Sequence, residues 1–215
     1  MRKKMTDGPG GQSIIRFFDF SLALVLMPFA LTLFILILLP QLICFGAIFY
    51  TSVRVGQGGA NFRYVKLKSM RDVTTLTGGG RAHLETPRIP AWGRFLRMTH
   101  FDEIPELFFI IAGRESFAGP RPLLPDHAAL VDSRERRAIK PGWTGFSQIF
   151  LKTRGILPSR IQRRLDQKLG RELCPSLYIK LLCATLFAPK RRLSNPGPTV
   201  VNYRLSIQEK SRKDA

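Results

Sequence analysis

The longest apolar pattern in the chain lies between Asp19 and Arg54, where 34 consecutive residues carry no charge. A bilayer-spanning helix needs about 20 apolar residues, so the stretch FSLALVLMPFALTLFILILLPQLICFGAIFYTSV predicts a membrane element. It exceeds the apolar core of a secretory signal, and no A-x-A site follows it. Pro28 interrupts it; proline removes a backbone donor and crowds the preceding turn. Beyond it, Ser52–Leu67 (SVRVGQGGANFRYVKL) places two β-branched and aromatic runs around a Gly-rich turn, the pattern of a β-hairpin. Thr74–Arg81 (TTLTGGGR) reads as a loop without the Lys-Ser/Thr of a P-loop. Pro105 followed by ELFFIIA and Gly113 predicts a short helix, with proline in its first turn and glycine past its end. In Ser159–Leu173, Ile161, Leu165, Leu169 and Leu173 recur every four residues, while Arg160, Arg163, Arg164, Lys168 and Arg171 take the other faces. That is a basic amphipathic helix, suited either to an anionic membrane surface or to a protein core. SLYIKLLCATLFAP is apolar but too short to span.

Charge sharpens the picture of the membrane element. The chain of 215 residues has 34 Lys and Arg against 15 Asp and Glu, a net charge of +19. Arg2, Lys3, Lys4 and Arg16 precede the apolar run, and 30 basic against 13 acidic residues follow it. Basic residues favour the cytoplasmic side, and here both flanks are basic. A helix that enters and leaves on one face, broken at Pro28, satisfies both flanks; a helix kinked at Pro28 that crosses outright is the alternative. The expected organisation is a flexible basic N-terminus (1–12), a re-entrant membrane helix (13–50), a cytosolic domain (51–189) and a disordered basic tail (190–215). The fold class expected is mainly α with a short β-hairpin, with interfacial amphipathic helices.

Such a charge excess calls for a polyanionic partner: nucleic acid, phosphate-bearing ligands or an anionic leaflet. Three cysteines (Cys44, Cys174, Cys183) form no C-x-x-C pair, and three histidines (His83, His100, His127) have no zinc-ligand spacing. A reducing compartment for the soluble part follows.

The densest chemistry lies in WGRFLRMTHFDEIPELFFIIAGRESFAGPRP, residues 92–122. Asp102 and Glu103 fall at the expected N-terminus of the Pro105 helix, where Asp102 is either a cap or a functional carboxylate. Arg94 and Arg97 lie just upstream and Arg121 downstream. Cations, a paired carboxylate and a helix N-terminus together suit a Mg²⁺–diphosphate ligand. A second compact loop, KPGWTGFSQIF (140–150), offers Trp143 and Phe146 for stacking on a base or for the membrane interface.

Taken in order, these segments resemble the bacterial sugar transferase family, the monotopic polyprenyl-phosphate glycosyl-1-phosphate transferases, in its small catalytic-domain-only class. IRFFDF, with Arg16 and Asp19, resembles the family's entry segment. VRVGQGGANFRYVKLKSM resembles R-x-G…F…K-x-R-S-M. GRFLRMTHFDEIPEL resembles G-R-x-L-R-x-x-x-x-D-E-x-P-x-L, AGPRP resembles G-P-R-P, and KPGWTGFSQ resembles P-G-x-T-G-x-x-Q. The likeness covers about residues 13–187.

The resemblance implies transfer of a sugar 1-phosphate from a nucleotide diphosphate sugar, usually a UDP-sugar, to polyprenyl (undecaprenyl) phosphate, releasing UMP and starting lipid-linked glycan assembly. It implies Asp102 as the nucleophile of a phosphosugar intermediate. Glu103, with Asp102, would hold Mg²⁺, and Arg121 would bind phosphate. Arg94, Arg97, Lys66 and Lys68 complete the expected phosphate-binding set. The chemistry and the resemblance together make the cytosolic domain (51–189) the catalytic one. The expected location is the bacterial inner membrane with the catalytic domain on the cytoplasmic face. The expected partners are the two substrates, anionic inner-leaflet lipids and further copies of the chain, with nucleic acid not among them. The chain departs from the pattern at several places. Met27 stands where Ser usually precedes the proline, Lys68 where Arg is usual, Ser52 where a Gln is usual, and Gly113-Arg114-Glu115-Ser116 where G-D-M-S is usual. An acidic position near Tyr178–Lys180 is also lost. These departures motivate one rival expectation, a catalytically weakened membrane-bound scaffold of a polysaccharide assembly complex.

Overall fold

A computed structural model describes residues 9–71, 89–154 and 157–187. The readings of Thr74–Arg81, the first eight residues and the tail from Lys190 fall outside these residues. The apolar run forms α1 (Pro9–Phe45), the one helix among the described residues long and apolar enough to cross a membrane. Pro28 and Pro40 both lie inside it, and the helix continues through Pro28. The expected break there is therefore not shown. A proline removes a single ladder bond, and around it the Met27 and Ala30 side chains pack against the core while Thr32 Oγ1 donates to the Pro28 carbonyl.

α1 does not stand away from the rest of the chain. Ile15, Asp19, Ala23, Ala30, Ile37 and Gln41 are buried along one face, whereas Leu24, Phe29, Leu36 and Ile43 on other faces are largely exposed. Near its start, Asp19 Oδ1 accepts from the Ser116 hydroxyl, the Phe117 N–H and the Tyr178 hydroxyl, each at 2.9 Å. Tyr178, on the last helix near the position where an acidic residue was expected, thus donates a hydrogen bond to α1. Near its end, Gln41 Nε2 donates to the Lys68 and Ile48 carbonyls, and its Oε1 accepts from Trp92 Nε1. Buried polar groups in apolar surroundings require such partners, so both ends of α1 are fastened to the same body.

That body starts with a hairpin, β1 (Phe49–Val55) against β2 (Asn61–Leu67), as the alternation predicts. Two helices follow, α2 (Ala91–Thr99) and α3 (Glu106–Ile111). Pro105 caps α3 and Gly113, at φ +75°, lies just past its end. Next come β3 (Ser116–Ala118), α4 (Pro125–Val131), α5 (Arg134–Ala138), β4 (Gly142–Thr144), α6 (Phe146–Arg154), α7 (Ser159–Glu172) and α8 (Pro175–Phe187). The architecture is mainly α with a short hairpin.

The parallel β3–β4 pair has no counterpart in the sequence pattern, because three residues are too few to show alternation. Glycine makes it possible: a Cβ on Gly119 or Gly142 would collide with the backbone of the opposite loop. Those loops are the G-P-R-P and P-G-W-T-G segments, which therefore lie in contact.

The predicted stripe on α7 is displaced. Gln162, Asp166 and Leu169 face inward, while Ile161 is exposed. The buried Arg136–Asp166 ion pair accounts for this. Asp166 also accepts from the Ser147 hydroxyl, so α7 turns its carboxylate toward α5 and α6. The five basic residues of α7 remain exposed.

A straight helix of 37 residues would extend about 55 Å, well beyond a hydrocarbon core of about 30 Å. One body holding both ends of such a helix predicts that the ends share one side of a membrane. Single cysteines at positions 8 and 46, in a background with Cys44, Cys174 and Cys183 replaced, should react with an impermeant maleimide from the same side of sealed vesicles. Labelling from opposite sides contradicts this arrangement.

Candidate active site

α2 ends at His100, whose left-handed backbone (φ +60°) lets the chain reverse into a single 3-10 turn, Phe101–Glu103. Asp102 and Glu103 sit in this turn. Asp102 is consequently not the N-cap of α3; Pro105 holds that position, and α3 has only six residues. The cap reading of Asp102 is thereby corrected: the proline takes up the first helical turn and leaves the carboxylate pair ahead of it. Asp102 is largely buried. Desolvation lifts its carboxyl above the usual range, and the neighbouring Glu103 charge adds to this, while Lys66, Arg97 and His100 oppose it.

Strand alternation sets the next layer. Tyr64 and Lys66, two residues apart on β2, share a face. Lys66 Nζ donates to Glu103 Oε1 and lies 3.1 Å from Glu106 Oε1. The Tyr64 hydroxyl donates to the same Glu106 oxygen. Burial works against the Lys66 charge, yet Glu106 and Glu103 hold its ammonium above the ordinary lysine range. Burial would raise Glu103, but Lys66, followed by Arg121 and His100, brings it below the ordinary range. Glu106, almost fully buried, is pushed up to about 7, first by desolvation and then by the Glu103 charge.

Near Glu106 is Glu115, which with Arg114 departs from the G-D-M-S pattern. It has no solvent exposure, and neither carboxyl oxygen has a hydrogen-bond partner among the described residues. Desolvation, reinforced by Glu106, pushes it up to about 9. A buried carboxyl without a partner is favoured in its neutral form.

A small cavity collects several of these groups, though Asp102 and Glu115 are not in its lining. Arg54, Tyr64, Lys66, Glu103, Glu106, Arg121, Trp143 and Gln148 all line it. The Arg54 guanidinium lies 5.3 Å from the Tyr64 ring centroid. Arg121 is held through its backbone, since its carbonyl accepts from Arg136 Nη2 at 2.5 Å, and Arg136 is itself paired with Asp166. The α5–α7 junction therefore positions the G-P-R-P arginine. The Trp143 indole N–H and Gln148 Oε1 are buried without hydrogen-bond partners among the described residues.

Of the expected phosphate-binding residues, Lys66 and Arg121 reach this cavity. Arg97 does not line it; it donates to Ser69 Oγ at 2.9 Å and, close to Asp102, lowers that carboxyl. Arg94, exposed on α2, and Lys68, whose backbone bonds Ile48 and Gln41, do not line it. Trp143 forms part of the cavity wall, edge-on to Phe117, and Phe146 packs beneath Lys168. Tyr64 and Glu106 escaped sequence reasoning, and Arg54 and Gln148, though part of the R-x-G and P-G-x-T-G-x-x-Q segments, were given no role in the site. The i, i+2 spacing of Tyr64 and Lys66 on a predicted strand was the available signal for Tyr64.

The geometry places a buried carboxylate in an acidic turn clamped by a lysine, with two arginines at the adjoining small cavity, in a body fastened to an apolar helix. Such a set can bind a phosphorylated ligand and present a carboxylate to it, as a membrane-associated group-transfer enzyme requires. The family model for bacterial sugar transferases matches residues 11–191, and the chain belongs to that family. Among its relatives is a Bacillus subtilis (strain 168) protein with a provisional name, undecaprenyl-phosphate N-acetylgalactosaminyl 1-phosphate transferase. It is 37% identical over 116 residues, covering 53% of this chain and 64% of that protein. The undecaprenyl-phosphate glucose phosphotransferase of Komagataeibacter xylinus is 31% identical over 185 residues, 80% of this chain and 35% of that protein. The UDP-glucose:undecaprenyl-phosphate glucose-1-phosphate transferase of Xanthomonas campestris pv. campestris is 34% identical over 113 residues, 48% of this chain and 23% of that protein. The chain thus spans less than two thirds of the length of each of these three.

The two raised carboxyls predict a pH dependence of stability. Glu106 and Glu115 bind protons more tightly folded than unfolded, so the folded state holds more protons between the unfolded value of 4.5 and about 7 and 9. Stability contributed by these two groups is complete at and below pH 4.5 and falls as pH rises through that window. Thermal denaturation in detergent between pH 5 and 9 should show a falling midpoint, and Glu115→Gln should flatten the fall. An identical profile in the variant contradicts the assignment.

Proposed function

We propose that the protein transfers a sugar 1-phosphate from a UDP-sugar to undecaprenyl phosphate, releasing UMP, through a covalent phosphosugar intermediate on Asp102. The observation that carries this reading is the placement of Asp102 in a desolvated turn next to Lys66, Arg97 and the Arg121 cavity, within a chain of the bacterial sugar transferase family.

An Asp102 oxygen attacks the β-phosphorus of the donor, and the bond from that phosphorus to the bridging oxygen breaks. UMP leaves with the electron pair. An oxygen of the acceptor phosphate then attacks the same phosphorus, the bond to Asp102 breaks, and the carboxylate is restored. Covalent catalysis divides the transfer, so donor and acceptor occupy the site in turn. Attack of one anion on another needs its repulsion cancelled, and Arg121, Arg54 and Lys66 supply positive charge at the cavity. Lys66 additionally fixes Glu103.

The residues fit Mg²⁺ only in one manner. No cluster of three or more His, Cys, Asp or Glu suited to a metal occurs among the described residues. A carboxylate pair completed by substrate phosphates and water is the usual arrangement for this ion. Glu103, with Asp102, would hold it, and the ion would neutralise charge on the diphosphate. α1 would place the site at the cytoplasmic face of the bacterial inner membrane, where the basic flanks of the chain meet anionic lipids.

Asp102→Asn should lower UMP release from a UDP-sugar, and sugar transfer to undecaprenyl phosphate, by at least about a thousandfold. Glu103→Gln should weaken turnover and change its Mg²⁺ dependence. Full activity of Asp102→Asn removes this residue as the nucleophile.

A further inference from the structure

The strand and turn that build the polar cavity have a second side. On β2, Tyr64 and Lys66 face the polar cavity, and Val65 between them lines a separate apolar cavity of about 360 Å³. The segment after Asp102 divides in the same manner. Glu103 and Glu106 belong to the polar cavity, whereas Ile104, Pro105 and Phe108 belong to the apolar one. The opposite wall is α1, through Met27, Ala30, Leu31 and Phe34, with Phe34 stacked on Phe49 at 5.9 Å. Every side chain lining this cavity is apolar. Leu31, Phe49 and Phe108 are each about half exposed, so the cavity opens onto the apolar outer surface that α1 presents to a bilayer.

Two cavities, one charged and one wholly apolar, thus share the walls formed by β2 and the Glu103–Phe109 segment, directly after Asp102. A ligand matching both has an anionic head and a long apolar chain, and lies partly in the membrane. We infer that the apolar cavity between α1, β2 and α3 receives the head-proximal isoprene units of the polyprenyl phosphate acceptor, carrying its phosphate toward Asp102. This rests on the transfer reaction proposed above. The cavity is several times the size of one isoprene unit, and Ile104 and Pro105 directly follow the carboxylate pair, so a chain seated there keeps its phosphate near the reacting carboxylate. A bulk phospholipid acyl chain matches the apolar wall equally but brings no reacting phosphate to the turn. Filling the cavity therefore acts on the acceptor step, and on how the enzyme distinguishes long from short isoprenoid chains.

The test uses the full chain in lipid nanodiscs with a UDP-sugar donor and either geranyl phosphate or undecaprenyl phosphate. Ala30→Phe fills the cavity from α1. Phe108→Trp narrows its mouth at an exposed position and serves if the first variant folds poorly. Each should raise the KM for undecaprenyl phosphate about tenfold or more and shrink its advantage over geranyl phosphate. Release of UMP from donor alone should persist, and Leu36→Phe, on the exposed side of α1 outside the cavity, should leave the acceptor KM unchanged. In a parallel arm without donor, a diazirine-bearing polyprenyl phosphate should label the peptide containing Ile104–Phe109, and Ala30→Phe should suppress that labelling. Labelling at the cavity without any sugar transfer by the wild type would retain this site and reject the proposed reaction. Unchanged acceptor KM and chain-length dependence in both variants, or labelling elsewhere, overturns the site; the same follows if the cavity holds an ordinary acyl chain.

Discussion

Three carboxyl groups, Glu103, Glu106 and Glu115, crowd into the interior beside Asp102, and burying them is unfavourable unless a cation or a proton compensates. Lys66 supplies the cation. Its ammonium bridges Glu103 and Glu106, which ties β2 to the turn after α2 and to the first residue of α3. Protons supply the remainder, since Glu106 and Glu115 are displaced toward neutrality. The arrangement leaves Glu103 ionised beside Asp102, with Arg97 and Arg121 on its flanks. The electrostatic character of the site thus follows from how one buried lysine is shared among several acids.

The second constraint is the attachment of α1. A long apolar helix ordinarily separates two compartments, but here Asp19 and Gln41 are each anchored by hydrogen bonds to the same body. The body and the helix therefore bury a common face along much of α1, and Ile104, directly after the carboxylate pair, packs against that face. This explains how one modest chain can offer a charged cavity and an apolar cavity across shared walls. A lipid-linked phosphate presents the same pairing of chemistries.

Much of this was legible from residue order. The uncharged stretch announced α1, alternation around Gly58 and Gly59 announced the hairpin, and the Pro105–Gly113 punctuation announced α3. Lys66, Arg121 and the Asp102–Glu103 pair were recognisable as candidate chemistry. Other features depended on long-range contacts that no local pattern encodes. Gln162 and Asp166 took the inner face of α7 because Arg136, far away in sequence, needed a buried partner. The β3–β4 pair rests on close approach at Gly119 and Gly142. Glu106 and Glu115 read as unremarkable acids on either side of a short helix until folding turned both inward. Asp102 looked like a helix cap because the turn containing it is continuous in sequence with α3, whereas Pro105 takes the cap position.

The same residues give the account its most exposed point. If Asp102 is the nucleophile, the protein passes through a state in which its carboxylate is esterified to a sugar phosphate, and Lys66, Arg97 and Arg121 stabilise the charge that forms. The direct measurement is intact-mass and peptide mass spectrometry on the protein after brief incubation with a UDP-sugar in the absence of acceptor, with an acid quench. A mass increase equal to one sugar phosphate, located on the peptide carrying Asp102 and discharged on adding undecaprenyl phosphate, is the predicted result. Product formation with no adduct at any time point, or an adduct on another residue, would contradict the account.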